Sequence, residues 1–343
     1  MAQYILNMGG YNNGTRFNTV DVFKVTANGV TKISNHGLTL SVARSNFAAA
    51  SCGEYILAMG GEDNNGLSRT VDVFKVTDNG VEAVQNHGLS LSVVRSSLAA
   101  ASCGNYILAM GGKNGAPSYS YLNTVDVFKV TDNGVEAVPN HGLTLSVGGS
   151  ELAAASCGEY ILAMGGWNGN DALNTVDVFQ VTANGVTKIS NHGLTLSVAR
   201  NALAAASAGN YILAMGGSYR NTSSSTSFTN TVDVFKVTDN GVTKVPNHGL
   251  SLSIARRDLA AASCGEYILA MGGRTSSSVL NTVDVFKVTD NGAEAVPNHG
   301  LSLSVGRTWL AAASAGSYIL AMGGDDGSTS AYSNTVDVFQ CFE

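Results

Sequence analysis

The chain has 343 residues, 44 % of them hydrophobic and only 13 % charged, with 40 glycines and 4 prolines. That composition can fill a large core and excludes disorder, collagen and proline-rich coil. A net charge of −6 without any cluster of Lys or Arg argues against nucleic acid and anionic membrane as partners.

The opening residues Met1, Ala2, Gln3 and Tyr4 show no basic-then-apolar leader, and no apolar run approaches the ~18 residues of a membrane span. A soluble, cytoplasmic protein is the expectation. The first predicted strand begins at Tyr4, and its motif Tyr-Ile-Leu-x-Met-Gly-Gly returns at Tyr55, Tyr106, Tyr160, Tyr211, Tyr267 and Tyr318. The next strand, Thr-Val-Asp-Val-Phe from Thr19, returns at Thr70, Thr124, Thr175, Thr231, Thr282 and Thr335. An Asn-Gly turn follows, then a fourth element leading to Asn-His-Gly-Leu, which occurs six times from Asn35 to Asn298. Spacings between successive Tyr positions are 51, 51, 54, 51, 56 and 51, so one unit is repeated along the whole chain.

Each unit reads as four short strands. In the third copy these are Leu98–Ser102, Tyr106–Met110, Thr124–Val130 and a strand running from Val135 towards Leu145. Asn-Gly supplies the hairpin turn, and no window holds a sustained 3.6-residue apolar period. Four-stranded units at this period predict an all-β propeller forming one domain, with units near 1–43, 44–94, 95–148, 149–199, 200–255, 256–306 and 307–343. The Ala-rich strand belongs innermost, where only small side chains fit. The chain starts at strand two and stops after strand three, so the count allows six blades or seven. Seven avoids stranding Tyr318–Met322 unpaired, and leaves the first and last blades incomplete. Asn7, where the other copies have Ala, and Cys341 then fall in those two blades.

These units resemble the kelch family of propellers. The matching residues are the double glycine after strand two (Gly60-Gly61), the aromatic ending strand three (Phe74) and the Arg opening the next unit (Arg95). The family's Trp in strand four is replaced by Val84 or an equivalent aliphatic residue. The resemblance implies a propeller and admits enzymes, sugar-handling proteins and protein-binding modules alike. It further implies that Arg44, Arg95, Arg200, Arg256 and Arg307 contact an anionic group, although a bridge between blades is an equal reading.

Comparing the copies locates the variation. The strand 2–3 loops differ in length and sequence, as does a residue pair just before each strand one, while the other turns barely change. Antiparallel pairing places both variable sites on one face of the disc. The candidate recognition residues there are Tyr11, Arg16, Asn46, Glu62, Asp63, Lys113, Tyr119, Tyr121, Glu151, Trp167, Asp171, Tyr219, Arg220, Arg257, Asp258, Arg274, Trp309, Asp325, Asp326 and Tyr332. Aromatics and Arg amid Ser, Gly and Asn compose an adaptable binding surface.

Catalytic and metal chemistry find little support. The six His residues, His36 to His299, occupy one repeated slot, one per blade, and read as structural acceptors rather than ligands. The strand-three Asp residues, from Asp21 to Asp337, read as solvated or paired between blades with their Lys neighbours. Cys52, Cys103, Cys157 and Cys264 share one turn position, and with Cys341 are expected to stay as free thiols in a reducing compartment. The expectation is a non-catalytic binding propeller without cofactor or metal, recognising a protein, either as a monomer or as a strand-exchanged oligomer. A sugar-handling protein (a lectin, or an isomerase or mutarotase) using the central pocket is the alternative, as is a repeat-amplified or engineered scaffold without ligand.

Overall fold

A computed structural model describes residues 3–115, 118–220, 226–328 and 332–341. The sequence also carries an Asn-x-Ser glycosylation pattern, Asn221-Thr222-Ser223, which lies outside the described residues. Seven antiparallel sheets follow one another along the chain. Blade 1 consists of Gln3–Met8, Val20–Thr26 and Gly29–Ile33. Blades 2 to 6 each have four strands, such as Ala204–Ala208, Tyr211–Met215, Val232–Thr238 and Gly241–Val245 in blade 5. Blade 7 has Ala311–Ala315, Tyr318–Met322 and Val336–Gln340. Among the described residues blade 1 thus has no inner strand and blade 7 no outer strand, as the seven-blade arithmetic requires.

Strand alternation explains how one sequence packs on itself around a ring. In Tyr160–Met164 the residues Tyr160, Leu162 and Met164 face the following blade, and meet Ile212, Ala214, Phe235 and Val237 from it. The same pattern closes the ring, where Tyr318, Leu320 and Met322 of blade 7 pack against Ile5, Phe23 and Val25 of blade 1. Val20 and Val22 then carry the core into blade 2 through Ala58 and Phe74. The Ala-rich strands do lie innermost, each against its neighbour's. The fourth strand is shorter than expected: Gly134–Ala137 ends well before Leu145, and only a bridge from Thr124 to Thr144 follows. The intervening Asn140 turns the chain at φ 55°.

The two glycines after strand two serve the blade junction. Gly60 and Gly61 have φ of 69° and 101°. A Cβ on Gly60 would lie 2.8 Å from the carbonyl oxygen of Arg95, and one on Gly61 would lie 2.5 Å from that of Ser45. The Gly61 N–H donates to the Arg95 carbonyl at 2.8 Å, so the double glycine grips the interblade segments.

The thiol expectation is corrected here. Cys264 and Cys341 form a disulfide, with Cα atoms 6.0 Å apart, while Cys52, Cys103 and Cys157 are free and buried. Equivalent turns of neighbouring blades are indeed not bridged. Cys341, however, replaces the strand-three Val that packs over the preceding blade's turn, as Val237 does over Cys157. That placement falls within the Cα range a disulfide needs. The bond ties blade 7 to blade 6 and removes the thiol argument for a reducing compartment. Denatured, unreduced protein is expected to titrate three of its five thiols, the remaining two appearing only after reduction. Five reactive thiols before reduction would refute the bridge.

Candidate functional site

Both variable sites lie on one face, and they are hydrogen-bonded to each other. The first residue of each interblade pair bridges to the first residue of the following 2–3 loop: Ser45 to Glu62, Ser96 to Lys113, Ser150 to Trp167, Asn201 to Ser218, Arg257 to Arg274 and Thr308 to Asp325. Several loops extend as small hairpins, such as Tyr11–Asn12 with Thr15–Arg16 and Glu62–Asp63 with Gly66–Leu67.

The second residue of each pair builds a structure that the sequence did not announce. Asn46, Ser97, Glu151, Ala202, Asp258 and Trp309 all have φ between 53° and 56°. Each hands its carbonyl to the next: the Ser97 N–H donates to Asn46, Glu151 to Ser97, Ala202 to Glu151, Asp258 to Ala202 and Trp309 to Asp258, at 2.9–3.0 Å. Five backbone bonds therefore link six blades into a collar at the top of the inner strands. Left-handed backbone costs a side-chain-bearing residue about 1–2 kcal/mol, and Gly or Asn would meet the cost best. Asn46 is such a residue, and Asp258 also tolerates this backbone. The other positions retain Ser, Glu, Ala and Trp.

Side chains on this collar and the loops form an acidic and aromatic centre with basic flanks. Trp309 is the most exposed large apolar residue among the described residues, at 53 %. Arg274 stands 5.8 Å from its ring centroid. Asp258 is deeply set, with Arg257 Nε 3.1 Å from its carboxylate. Burial pushes the Asp258 carboxyl up to about 6, Arg257 opposes this and Glu151 adds to it. Glu151 itself is exposed and accepts from Asn201 Nδ2 at 2.6 Å. Arg257 lies over Phe228 and Arg220 over Trp167, at 5.4 and 4.9 Å from the ring centroids. Around the disc, Arg16 pairs with Glu62 at 3.2 Å and sits over Tyr11, and Lys113 sits over Tyr119. Tyr11 meets the Tyr332 ring edge-on at 5.9 Å. Tyr121 packs where a Cβ on Gly169 would be 2.6 Å from its ring. Asp63, Asp325 and Asp326 cap their own loops by accepting backbone N–H bonds. Asp171 is exposed, and Tyr219 half-buried. The candidate residues thus share a face and largely cross-brace its loops.

The interblade arginines are placed otherwise. Arg44, Arg95, Arg200, Arg256 and Arg307 are all 0 % exposed. Each pairs with the strand-three Asp of its own blade: Arg200 with Asp233 at 2.8 Å, Arg256 with Asp284 at 2.7 Å, and likewise Arg44 with Asp72, Arg95 with Asp126 and Arg307 with Asp337. Arg200 and Arg256 also donate to the strand-two carbonyls of Ala214 and Ala270. These ion pairs lie within a blade rather than bridging two blades, and none of the five guanidiniums is exposed to solvent. The pairing expected between Asp and the strand-three Lys is corrected too. Lys75 and Lys287 instead reach Glu54 and Glu266, because each lies three residues beyond its strand-three Asp and so points to the opposite face. The Lys residues that do reach the Asp come from strand four. Lys32 pairs with Asp21 and Lys188 with Asp177, in the two blades without an interblade Arg, and Lys244 joins Arg200 at Asp233.

The His residues act as acceptors in their own turns. Nδ1 of His36, His87, His141, His192, His248 and His299 receives the backbone N–H two residues on, at 3.0–3.1 Å. Burial lowers the pKa of His87, His141, His192 and His248, in keeping with neutral rings. Among the described residues no three His, Cys, Asp or Glu side chains are grouped to hold a metal ion.

Seven radial antiparallel sheets with the loop variation gathered on one face make a β-propeller. The kelch motif matches residues 43–79, 95–140, 148–190 and 255–291. With seven blades repeating that unit, the chain is a kelch-repeat propeller. The solved structure of YjhT is similar over 84 % of this chain and 96 % of its own, with a TM-score of 0.58 and 13 % identity. That likeness is one of fold alone. No curated protein shows significant sequence similarity to the chain. Among the described residues no helix is long and apolar enough to cross a membrane.

Proposed function

We propose that this propeller is a non-catalytic binding module that recognises a protein through its variable face, centred on Trp309, Asp258 and Glu151. The observation that carries the reading is the collar. Six residues share one strained backbone conformation, yet four of them forgo the Gly, Asn or Asp that would best accept it. Unconstrained exchange would have settled on those residues, so the different side chains are retained for what they contact. An exposed Trp beside flanking Arg and a buried carboxylate is the composition of an interaction hot spot. The breadth of the face and its mixed charge suit a macromolecular surface better than a small ligand.

The test compares capture from source lysate by the natural protein and by a variant with uniform loops. In that variant every 2–3 loop takes the sequence of residues 167–173 and every interblade pair becomes Ser-Ser. A partner captured by the natural protein alone is the expected result. Equal capture by both folded proteins would refute the reading. Against the captured partner, Trp309→Ala is expected to cost at least ~2 kcal/mol, about thirtyfold in Kd, with unchanged thermal stability.

A further inference from the structure

Within the collar Ala202 separates Glu151 from Asp258, and Trp309 follows Asp258. One backbone hydrogen bond joins each residue to the next, so a step is about 5 Å and the Cα atoms of the two acids stand roughly 10 Å apart. The methyl group of Ala202 is too short to fill the space between them. Glu151 is exposed, its Oε2 accepts from Asn201 Nδ2, and among the described residues no cation pairs with it.

Asp258 is deeper, its side chain only 10 % exposed. Arg257 stands 3.1 Å from it, yet the two form no hydrogen bond. Asp258 Oδ2 and Arg257 Nε are each buried without a hydrogen-bond partner among the described residues. The neighbouring guanidinium thus meets the charge without satisfying the oxygen, and an unsatisfied buried acceptor is costly. Arg257, the Trp309 side chain and Arg274 all favour ionisation of Asp258, while Glu151 opposes it. Burial still outweighs the resident donors. Both arginines are engaged elsewhere as well, Arg274 over Trp309 and Arg257 over Phe228.

Resting on the recognition reading above, we infer that this arc of the collar is a subsite for an arginine side chain of the partner. The guanidinium enters over Ala202 between Glu151 and Asp258, and stacks on the exposed surface of Trp309. A guanidinium suits both features, because its planar fork donates to carboxylates and its face stacks on an aromatic ring, whereas an ammonium is a point charge. It also supplies the donors that the buried carboxylate lacks. The rest of the collar, Asn46 and Ser97, is uncharged, so the preference belongs to this arc.

The probe is N-acetyl-arginine amide, titrated at constant ionic strength into the full chain carrying Trp167→Phe, which leaves Trp309 as the one tryptophan. A saturable change in Trp309 emission is expected at pH 7.5. The citrulline analogue, similar in shape but uncharged, should bind about tenfold more weakly, as should the arginine probe after Asp258→Asn or Glu151→Gln. Because Asp258 must be ionised, affinity should fall about tenfold from pH 7.5 to pH 5, and Asp258→Asn should lose that fall. No saturable change, equal binding of the two probes, or an affinity indifferent to both substitutions overturns the assignment. So does a captured partner that binds both variants as well as the natural protein, although the recognition face itself would then stand. Arginine binding that persists while natural and uniform-loop proteins capture alike would sustain the subsite and fault the recognition reading instead.

Discussion

Replacing Arg256 by Ala is expected to destabilise the propeller by about 3–5 kcal/mol, the usual cost of removing one partner from a buried ion pair. Arg256 is fully buried and, among the described residues, is the sole cation paired with Asp284, which there otherwise accepts the Ser253 N–H. Its loss would leave a carboxylate at 14 % exposure without a counter-ion. The same change at Arg200 should cost less by at least about 1 kcal/mol, because Lys244 remains 2.7 Å from Asp233. Thermal midpoints of the two variants, measured side by side, decide the matter. Equal losses, or a larger loss at Arg200, would show that Lys244 does not share the charge. The comparison matters because the Lys residues of blades 1 and 4 stand where no Arg exists, so each strand-three Asp keeps at least one cation.

The second large effect concerns Asp258 and has the opposite sign. Burial holds its carboxyl at about 6 in the folded protein, against an ordinary value of about 3.9 in the unfolded chain. The folded state therefore binds the proton more tightly. This group's stabilising contribution is fully present below about pH 4 and is lost as pH rises through 6. A shift of about two pKa units corresponds to roughly 3 kcal/mol. Asp258→Asn, which also suits a backbone φ of 54°, is expected to be more stable than the natural protein at pH 7 by up to about that amount. The difference should shrink towards zero at pH 4. A variant less stable than the natural protein at pH 7 would mean that the ion pair with Arg257 outweighs the burial. A carboxylate kept at the collar against such a cost fits a binding site, where stability commonly yields to function.

The ring was legible because its seven copies vary so little. Seven Tyr-Ile-Leu motifs and seven Thr-Val-Asp-Val-Phe motifs leave little choice of architecture, and antiparallel strands place the variable loops together. The Arg–Asp pairs were not legible, although every member was visible. Arg200 and Asp233 are 33 residues apart, and Lys236 lies much nearer to Asp233 in sequence. Only the alternation of faces along strand three shows that this Lys points away. The disulfide was missed because like positions in adjacent blades were compared, whereas Cys341 sits at a different level from the turn cysteines. The collar was missed because Asn, Ser, Glu, Ala, Asp and Trp share no preference for left-handed backbone. Five of the six arrive at it through the backbone bonds between blades. Thiols and histidines drew attention in the sequence, yet the structure places its exposed aromatic and its perturbed carboxylate at residues 309 and 258.

Hydrogen–deuterium exchange on the complex with the captured partner tests the recognition face most directly. Protection should appear in the 2–3 loops and at the collar residues from Asn46 to Trp309, with the Asn-Gly turns of the opposite face unchanged. Protection confined to those turns or to the outer strands, with the collar exchanging as in the free protein, would contradict it.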